Sequence, residues 1–434
     1  MKILLVTRGS QGDIYPYLNI ASALIKRGHK VTLNLPQIFE KEAQAYQLDY
    51  VLQDFDDIQG MVSKAGNKSE GAKPYLKWMR DVIDAQFKQL VPLLKEHDVL
   101  IATNSEFAAA SVADYCGKPF IRTAFAPFIP GKNIPPPIFP YPKPHPVFTP
   151  RMIWRMLNIG NNYMTQKTIN KNRKQLGLQP LKNCGYYATE RAFNYLLYSR
   201  HLGSTDADWK YKWDIGGYCF NDTLHYDTEA YRKLTDFIQQ EQRPVIFFTL
   251  GSCSAKESND FCHRLINVCW QLNFRLIIGS GWSGTGKQLA NEKDVFLLTH
   301  TIPHSLIFPH CDAVMHHGGS GTTHSVARAG KPQVVMPLII DQPYWAYRVQ
   351  QLKIGPARIK IGKVSDKELK EKVYDLVTNP VYKKNAEELG EKIRSEQSTD
   401  NFCDFIESMI SPKEISEGKQ NISYYARIYR QIQK

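Results

Sequence analysis

A glycine-rich stretch in the last third of the chain contains the residues best suited to chemistry. It follows an apolar run at 313–315 and consists of His316-His317-Gly318-Gly319-Ser320-Gly321-Thr322-Thr323. This order predicts a strand, a tight loop and the start of a helix whose first amides have no partner within the helix. Those amides, with the hydroxyls of Ser320, Thr322 and Thr323 and a ring donor on His317 that can carry charge, would bind an anion such as a diphosphate. The alternative is an ordinary turn whose threonines cap the helix.

A second polar pair follows the next predicted strand. Residues 334–336 form a short apolar run, and the loop after it reaches Asp341-Gln342. In open α/β sheets the carboxyl ends of the strands face the ligand crevice. Asp341 accepts hydrogen bonds and Gln342 both accepts and donates them, so we expect this pair to bind a polyol such as a hexose.

A third candidate lies near the N-terminus, where a strand-like run at 3–6 leads into Gly9-Ser10-Gln11-Gly12-Asp13. Apolar spacing predicts a helix over 18–27, ended by Gly28. A carboxylate held in such a loop can take a proton from an attacking hydroxyl, and it does so best when burial raises its pKa. The alternative for Asp13 is that it caps a helix starting near Tyr15.

Together these motifs resemble family 1 nucleotide-sugar glycosyltransferases, in the branch of sterol glucosyltransferases and bacterial antibiotic glycosyltransferases. The resemblance implies an α/β protein of GT-B fold, with two Rossmann-like β/α/β domains facing each other across a cleft. It makes Asp13 the general base, supported by the loop residues Gly9, Ser10 and Gly12, although Gln11 replaces the arginine usual in this loop. The implied sugar-nucleotide contacts are Ser252, Thr301, Ile302, His317, Gly319, Ser320, Gly321, Thr322, Asp341 and Gln342.

The activity implied is an inverting, metal-independent transfer of a sugar, expected to be glucose from UDP-glucose, onto a hydroxyl of a hydrophobic acceptor such as a sterol, polyphenol or lipid. No cofactor is expected, and the formal D-x-D match at 206–208 is interpreted as a surface turn. Two alternatives stay open. One is transfer of N-acetylglucosamine to a polyprenyl lipid, and the other is a sugar-nucleotide-binding protein without activity.

The 434 residues predict two β/α blocks and a C-terminal extension. We assign 1–215 to an acceptor-binding domain and 216–385 to a domain for the sugar nucleotide. Residues 386–434 are expected to contain the end of one helix, predicted over 383–410, and a basic tail that packs back on the first domain or lies on a membrane. The proline-rich segment 127–150 cannot form a regular helix or strand, and we expect it to be either one wall of a pocket for a hydrophobic acceptor or a linker packed on the surface.

The composition of the chain limits the classes of binding partner that we expect. The net charge is +13, which suits nucleic acid, an anionic membrane or an acidic substrate. The lysines are dispersed, so we expect no nucleic acid but allow peripheral contact with an anionic membrane. No apolar run of spanning length occurs, the N-terminus does not resemble a signal peptide, and the eight cysteines form no C-x-x-C pair. These features predict a cytoplasmic protein that can sit at the inner face of the membrane.

Overall fold

The computed structural model describes residues 1–55, 73–139, 149–253, 257–281, 284–289 and 292–410, which form two parallel sheets and their helices. The predicted basic tail, 411–434, lies outside the described residues. The first sheet contains β1 (Lys2–Val6), β2 (Lys30–Leu35), β3 (Asp49–Leu52), β4 (Val99–Thr103), β5 (Phe120–Ala124), β6 (Phe193–Leu196) and β7 (Trp213–Ile215). Its order is β3-β2-β1-β4-β5-β6-β7, and every pairing is parallel.

The second sheet is smaller and has the same construction. It contains β8 (Val245–Thr249), β9 (Arg275–Gly279), β10 (Val295–Leu298), β11 (Ala313–His316) and β12 (Gln333–Val335). The order is β10-β9-β8-β11-β12, again with parallel pairings. The inner strands β8 and β11 are mostly apolar and are buried along their whole length, as expected when helices cover both faces of a parallel sheet.

Helices connect the strands. In the first half these are α1 (Gln11–Lys26), α2 (Glu40–Ala45), α3 (Lys73–Lys95), α4 (Ala109–Cys116), α5 (Pro150–Gln175) and α6 (Tyr187–Arg191). In the second half they are α7 (Thr228–Gln239), α8 (Ser258–Leu272), α9 (His304–Ile307), α10 (Ser320–Arg328), α11 (Gln342–Gln351), α12 (Asp366–Thr378), α13 (Pro380–Arg394) and α14 (Ser398–Ile410). Among the described helices, none is long and apolar enough to cross a membrane.

The C-terminal helix returns to the first sheet. Phe402 of α14 is fully buried, and its ring lies 4.4 Å from that of Tyr195 on β6. At the helix surface Arg27 pairs with Asp400 at 2.7 Å and with Asp404 at 2.6 Å. One face of α14 thus belongs to the hydrophobic core of the first sheet. The boundaries of the three predicted segments stay predictions.

The single helix predicted over 383–410 is wrong, because the chain forms α13 and α14 with a break between them. Ser395 ends α13, and its amide donates to the carbonyl oxygen of Glu391. Glu396 then turns its carboxylate inward to accept a hydrogen bond of 2.9 Å from the Ser199 hydroxyl. This tertiary contact redirects the chain although the local residues favour helix.

Two strands and the extent of α1 also differ from the prediction. Neither β6 nor β7 was predicted, because β6 contains the polar residue Asn194, which accepts a hydrogen bond from buried Arg122, and β7 has only three residues. The helix predicted from residue 18 begins at Gln11, seven residues earlier. Its first turn therefore contains Asp13, with consequences for the site.

Replacing Phe402 with alanine is expected to lower the free energy of unfolding by about 3–5 kcal/mol, because a fully buried ring leaves a cavity between α14 and β6. Urea unfolding followed by circular dichroism would measure the change. Val381→Ala, at an exposed position on α13, is the control and should change stability by less than about 0.5 kcal/mol. A similarly small loss for Phe402→Ala would contradict the packing of α14 described above.

Candidate active site

The carboxyl ends of the two sheets face each other, and the loops that leave them form the candidate site. The Ser320 hydroxyl at the start of α10 donates to the Phe125 carbonyl after β5, at 2.8 Å. The Tyr218 hydroxyl donates to the Gly12 carbonyl at 3.3 Å. All the site residues predicted from the sequence lie in loops or first helical turns that follow β1, β8, β10, β11 and β12. Ligand crevices of α/β sheets are formed in this way.

Asp13 is the third residue of α1, so the interpretation of it as the helix cap is wrong. Ser10 takes the N-cap position with an extended backbone. One carboxylate oxygen of Asp13, Oδ2, accepts hydrogen bonds from the Ser10 amide at 2.9 Å and from the Ser10 hydroxyl at 3.3 Å. This is the reach-back half of a capping box. Among the described residues, Oδ1 has no hydrogen-bond partner and is available to a substrate hydroxyl.

Burial raises the pKa of Asp13 to about 6, and the two hydrogen bonds from Ser10 only partly oppose the shift. Burial likewise raises the pKa of Asp341 to about 7, and the nearby charge of Asp13 adds to the effect. The charge of Asp13 therefore acts on Asp341. A carboxylate with a pKa near 6 is still ionised at neutral pH and is a stronger base than an exposed one.

Gly9 is required for the position of Asp13. Its φ of +140° disfavours other residues, and a Cβ atom placed on it would lie 2.2 Å from Oδ2 of Asp13. We expect Gly9→Ala to push the carboxylate away and to lower kcat by about tenfold or more, since misplacement of a catalytic group by about 1 Å is costly. Gly28→Ala is the control for strain alone, because Gly28 has φ +85° and open space around its Cβ position. Equal losses in both variants would contradict a specific role for Gly9.

The first turn of α10 carries free amides, as the glycine-rich motif predicts. Gly319 is the N-cap and no side chain caps the helix, so the amides that follow remain available to an anion. Gly321 and the buried Thr322 lie in this turn. The Ser320 hydroxyl donates to the Phe125 carbonyl and joins the two halves of the chain, and its predicted contact with the sugar nucleotide stays a prediction.

The ring of His317 lies closely packed between Gly251 and Gly319. Cβ atoms placed on Gly251 and on Gly319 would each come within 2.6 Å of its ring. Within the described ranges its Nδ1 atom is buried without a hydrogen-bond partner. Burial, with a smaller effect from His304, lowers the pKa of His317 to about 4. In the unliganded site the ring is therefore neutral and can offer one N–H, and the predicted contact of His317 with a diphosphate stays a prediction.

The neighbouring His316 is a packing residue. Its Nε2 is 2.8 Å from Oε1 of Gln333, and its Nδ1 accepts from the Gly318 amide at 3.1 Å. Burial lowers its pKa to about 3, so the ring is neutral. These contacts use both ring nitrogens and hold the glycine loop against β12.

Asp341 and Gln342 have different surroundings. Asp341 Oδ2 accepts a hydrogen bond of 2.9 Å from the indole of Trp345, and the carboxylate remains at the cleft. Gln342 is buried, and its side-chain oxygen accepts from the amides of Leu338 at 2.7 Å and Ile339 at 2.9 Å. The oxygen of Gln342 therefore orders its own loop, and its side-chain nitrogen donates one hydrogen to the Cys253 sulfur at 3.4 Å. The predicted contact with a sugar stays a prediction, and it would use the second hydrogen of that nitrogen.

The remaining predicted contacts lie around the same edge. Ser252 follows β8 beside Gly251, next to the ring of His317. Thr301 is exposed after β10, whereas the Ile302 side chain is buried in a cluster with Ile307. Ile302 can therefore contact a nucleotide only through its backbone.

Three aromatic residues at the junction were not identified from the sequence. Tyr218 stacks on His324 at 4.9 Å while its hydroxyl reaches the Gly12 carbonyl. His324 accepts from the Ser199 amide at 3.1 Å and meets Trp345 edge-on. For Trp345 a signal existed, because it stands four residues after Asp341 on a helix. Nothing in the sequence indicated the pairing of Tyr218 with α10.

No group of three His, Cys, Asp or Glu side chains that could hold a metal ion occurs among the described residues. In the formal D-x-D match, Asp206 accepts two hydrogen bonds of 2.8 Å from Asn133 and orders a loop. Metal independence itself stays a prediction.

Comparison with known families matches each half of the chain separately. Residues 3–127 match the model of the glycosyltransferase family 28 N-terminal domain. Residues 283–409 match that of the erythromycin biosynthesis protein CIII-like C-terminal domain. The chain belongs to the glycosyltransferases. The two models cover the loops that carry Asp13, His317 and Asp341, so the predicted resemblance is confirmed.

Curated relatives of this glycosyltransferase include sterol 3-beta-glucosyltransferase UGT80A2 of Arabidopsis thaliana, which is 26% identical over 98% of the chain. Sterol 3-beta-glucosyltransferase of Komagataella phaffii is 24% identical over 96% of the chain. The chain spans 67% of the plant protein but only 35% of the yeast protein. The relatives thus contain further sequence of their own.

Solved structures establish the fold of this glycosyltransferase. The kitacinnamycin glycotransferase superposes with a TM-score of 0.71 at 19% identity, covering 94% of this chain and 98% of the other. Glycosyltransferase VinC, solved with dTDP, superposes with a TM-score of 0.67 at 15% identity, covering 99% and 100%. The predicted GT-B fold is confirmed.

Proposed function

We propose that this glycosyltransferase transfers glucose from UDP-glucose to a hydroxyl of a hydrophobic acceptor, preferably a sterol, with inversion and without a metal ion. The observation that carries the proposal is the position of Asp13, whose Oδ1 is free among the described residues and whose pKa is raised to about 6. A Cβ atom placed on Gly321, in the first turn of α10, would lie 3.5 Å from the Cα atom of Gly12, so the start of α10 adjoins the residue before Asp13. A base and an anion site thus stand on opposite sides of one crevice.

The acceptor hydroxyl must lose a proton as its oxygen bonds to the anomeric carbon. Oδ1 of Asp13 takes that proton while Oδ2 stays hydrogen bonded to Ser10, which holds the carboxylate in place. Attack from the side opposite the leaving group inverts the anomeric configuration. The raised pKa of Asp13 makes the proton transfer more favourable while leaving most of the carboxylate ionised at neutral pH.

The leaving group is a nucleoside diphosphate, whose charge grows as the glycosidic bond breaks. The free amides at the start of α10, the N–H of His317 and the hydroxyl of Thr322 stabilise this charge in place of a metal ion. Asp341, and the amide of Gln342, bind hydroxyls of the sugar. Both sides act through groups that are already oriented before the substrates bind.

The choice of substrates is supported by the relatives, several of which are named sterol 3-beta-glucosyltransferases. The solved structure of VinC contains dTDP, a nucleoside diphosphate of the expected class. A hydrophobic acceptor also suits the apolar residues of the loop after β5, where Phe128 and Ile134 are only partly buried. We place the protein in the cytoplasm, in peripheral contact with the membrane that holds such acceptors.

The decisive experiment measures binding and slow hydrolysis of UDP-glucose, UDP-galactose, UDP-N-acetylglucosamine, dTDP-glucose and dTDP-rhamnose, each with and without EDTA. UDP-glucose should bind and be consumed equally in both conditions, and addition of a sterol should increase the turnover. A requirement for a divalent ion would refute the metal-free mechanism. Binding without turnover on any acceptor would instead favour a sugar-nucleotide-binding protein.

A further inference from the structure

We infer that α5 is a membrane-docking helix that binds an anionic lipid bilayer. Four large apolar side chains project from its first half into solvent, which is unusual in such number on one helix face. Their exposed fractions are 40% for Met152, 61% for Met156, 68% for Ile159 and 81% for Tyr163. Spacings of four, three and four residues place them on one side of the helix, and we call them the apolar stripe.

The charge of α5 identifies the partner. The helix contains Arg151, Arg155, Lys167, Lys171, Arg173 and Lys174 but no Asp or Glu. Arg173 is buried against Asp114, and Lys171 pairs with Asp84 at 3.2 Å. The other four make no ion pair within the described part of the chain. An apolar stripe flanked by unpaired cations, with no carboxylate on the helix, is complementary to a bilayer with anionic headgroups.

The opposite face of α5 is firmly attached to the protein, so the helix can support docking without unfolding. Ile169 packs in the same cluster as Met79 and Ile83 of α3. Near the start of the helix the Trp154 indole donates to the Ile134 carbonyl at 2.8 Å. The apolar stripe is therefore a fixed surface of a folded helix.

The position of the apolar stripe connects docking to catalysis. Ile134 belongs to the loop that leaves the carboxyl end of β5, where the Phe125 carbonyl accepts the hydrogen bond from Ser320. The contact between Trp154 and Ile134 places the first turns of α5 beside this loop. Docking through the apolar stripe would bring the acceptor side of the cleft to the bilayer. Only this step rests on the proposed function, because it assumes that the acceptor is taken from the lipid phase.

The test is co-sedimentation of the 434-residue chain with vesicles of phosphatidylcholine, with and without phosphatidylglycerol, at low and high salt. We expect binding that requires the anionic lipid and weakens with salt. Arg151→Gln/Arg155→Gln and, separately, Met156→Ser/Ile159→Ser should each weaken binding by about tenfold or more. Unchanged binding in both double variants would overturn the proposal.

Matched controls stand on exposed helices of the second half of the chain. Tyr374→Ser/Val381→Ser removes side chains that are 55% and 48% exposed, and Lys367→Gln/Lys384→Gln removes two exposed charges. Both should bind vesicles like the unaltered protein. If Arg427→Gln/Arg430→Gln abolishes binding while the α5 variants retain it, the C-terminal tail is the docking element and the proposal fails.

Two further measurements separate this proposal from its alternatives. The first is light scattering. If it showed a dimer that dissociates in Met156→Ser/Ile159→Ser, a second copy of the chain would cover the apolar stripe and the proposal would be overturned. Asp13→Asn should bind vesicles normally, because docking does not use the base. If the α5 variants lose vesicle binding but the unaltered protein transfers no sugar, docking is supported and the proposed function is refuted. If the unaltered protein transfers sugar but the α5 variants still bind vesicles, only the proposed function is supported.

Discussion

Replacing Asp13 with asparagine is expected to lower kcat by about 10²–10⁴-fold, the range typical of a lost general base. Asparagine keeps an oxygen that can accept from the Ser10 amide, so the start of α1 should persist. The dissociation constant for UDP-glucose should change little, because α10 and Asp341 are untouched. Steady-state kinetics with a sterol acceptor, together with calorimetric titration of the sugar nucleotide, would measure both quantities. Asp260→Asn, at an exposed position on α8, is the matched control.

The pH dependence gives a second measurement on the same pair of proteins. Asp13 acts as a base only when ionised, so kcat/KM of the unaltered enzyme should fall about tenfold per pH unit below its pKa of about 6. This limb should be absent from Asp13→Asn, and any limb that remains belongs to another group such as Asp341. An identical acid limb in both proteins would contradict the assignment of Asp13 as the base.

As the pH rises, the contribution of Asp13 to stability should decrease while the activity increases. The folded state raises the pKa of Asp13 from its ordinary value near 4, so the ionised form is disfavoured by folding. The contribution of Asp13 to stability is therefore greatest when it is protonated and declines as the pH rises from about 4 to about 6. At neutral pH the Asn variant should unfold at the same temperature as the unaltered protein or a higher one. A merely structural Asp13 would show the reverse.

The strands and the glycine loop were predictable because their signals are local. An apolar run such as 245–249 is buried on both faces of a parallel sheet, so composition alone identifies it. The glycines and hydroxyl-bearing residues between β11 and α10 predict a strand-to-helix turn. The family resemblance then ordered these elements into two sheets. Local pattern therefore sufficed for most elements of both halves.

The features that could not be predicted depend on contacts between residues far apart in the sequence. Ser320 is 195 positions from Phe125, and no local pattern indicates that its hydroxyl is occupied by that carbonyl. The neutral state of His317 results from burial between two glycine-containing loops, which residue type alone cannot reveal. The inward turn of Glu396 toward Ser199 similarly broke a helix that looked continuous. Side-chain roles thus required the tertiary structure although the elements that carry them did not.

His317→Ala is expected to lower kcat by about 10²–10³-fold, the range found when one hydrogen-bond donor to a developing negative charge is lost. The ring sits between Gly251 and Gly319, and its Nδ1 is buried without a partner among the described residues. An unsatisfied buried nitrogen costs stability, so its retention here is explained if a bound diphosphate completes its hydrogen bonding. His317→Gln should recover part of the loss because it keeps an N–H group.

The matched control is His310→Ala, at an exposed position of the same half of the chain, which should leave turnover unchanged. Kinetics separate a catalytic from a structural role, because stabilisation of the leaving group acts on kcat more than on the KM for UDP-glucose. A loss confined to KM would mean that His317 binds the sugar nucleotide equally in the ground and transition states. If kcat falls by less than about threefold, the diphosphate does not lie against His317. The start of α10 would then have to stabilise the leaving group through its backbone amides alone.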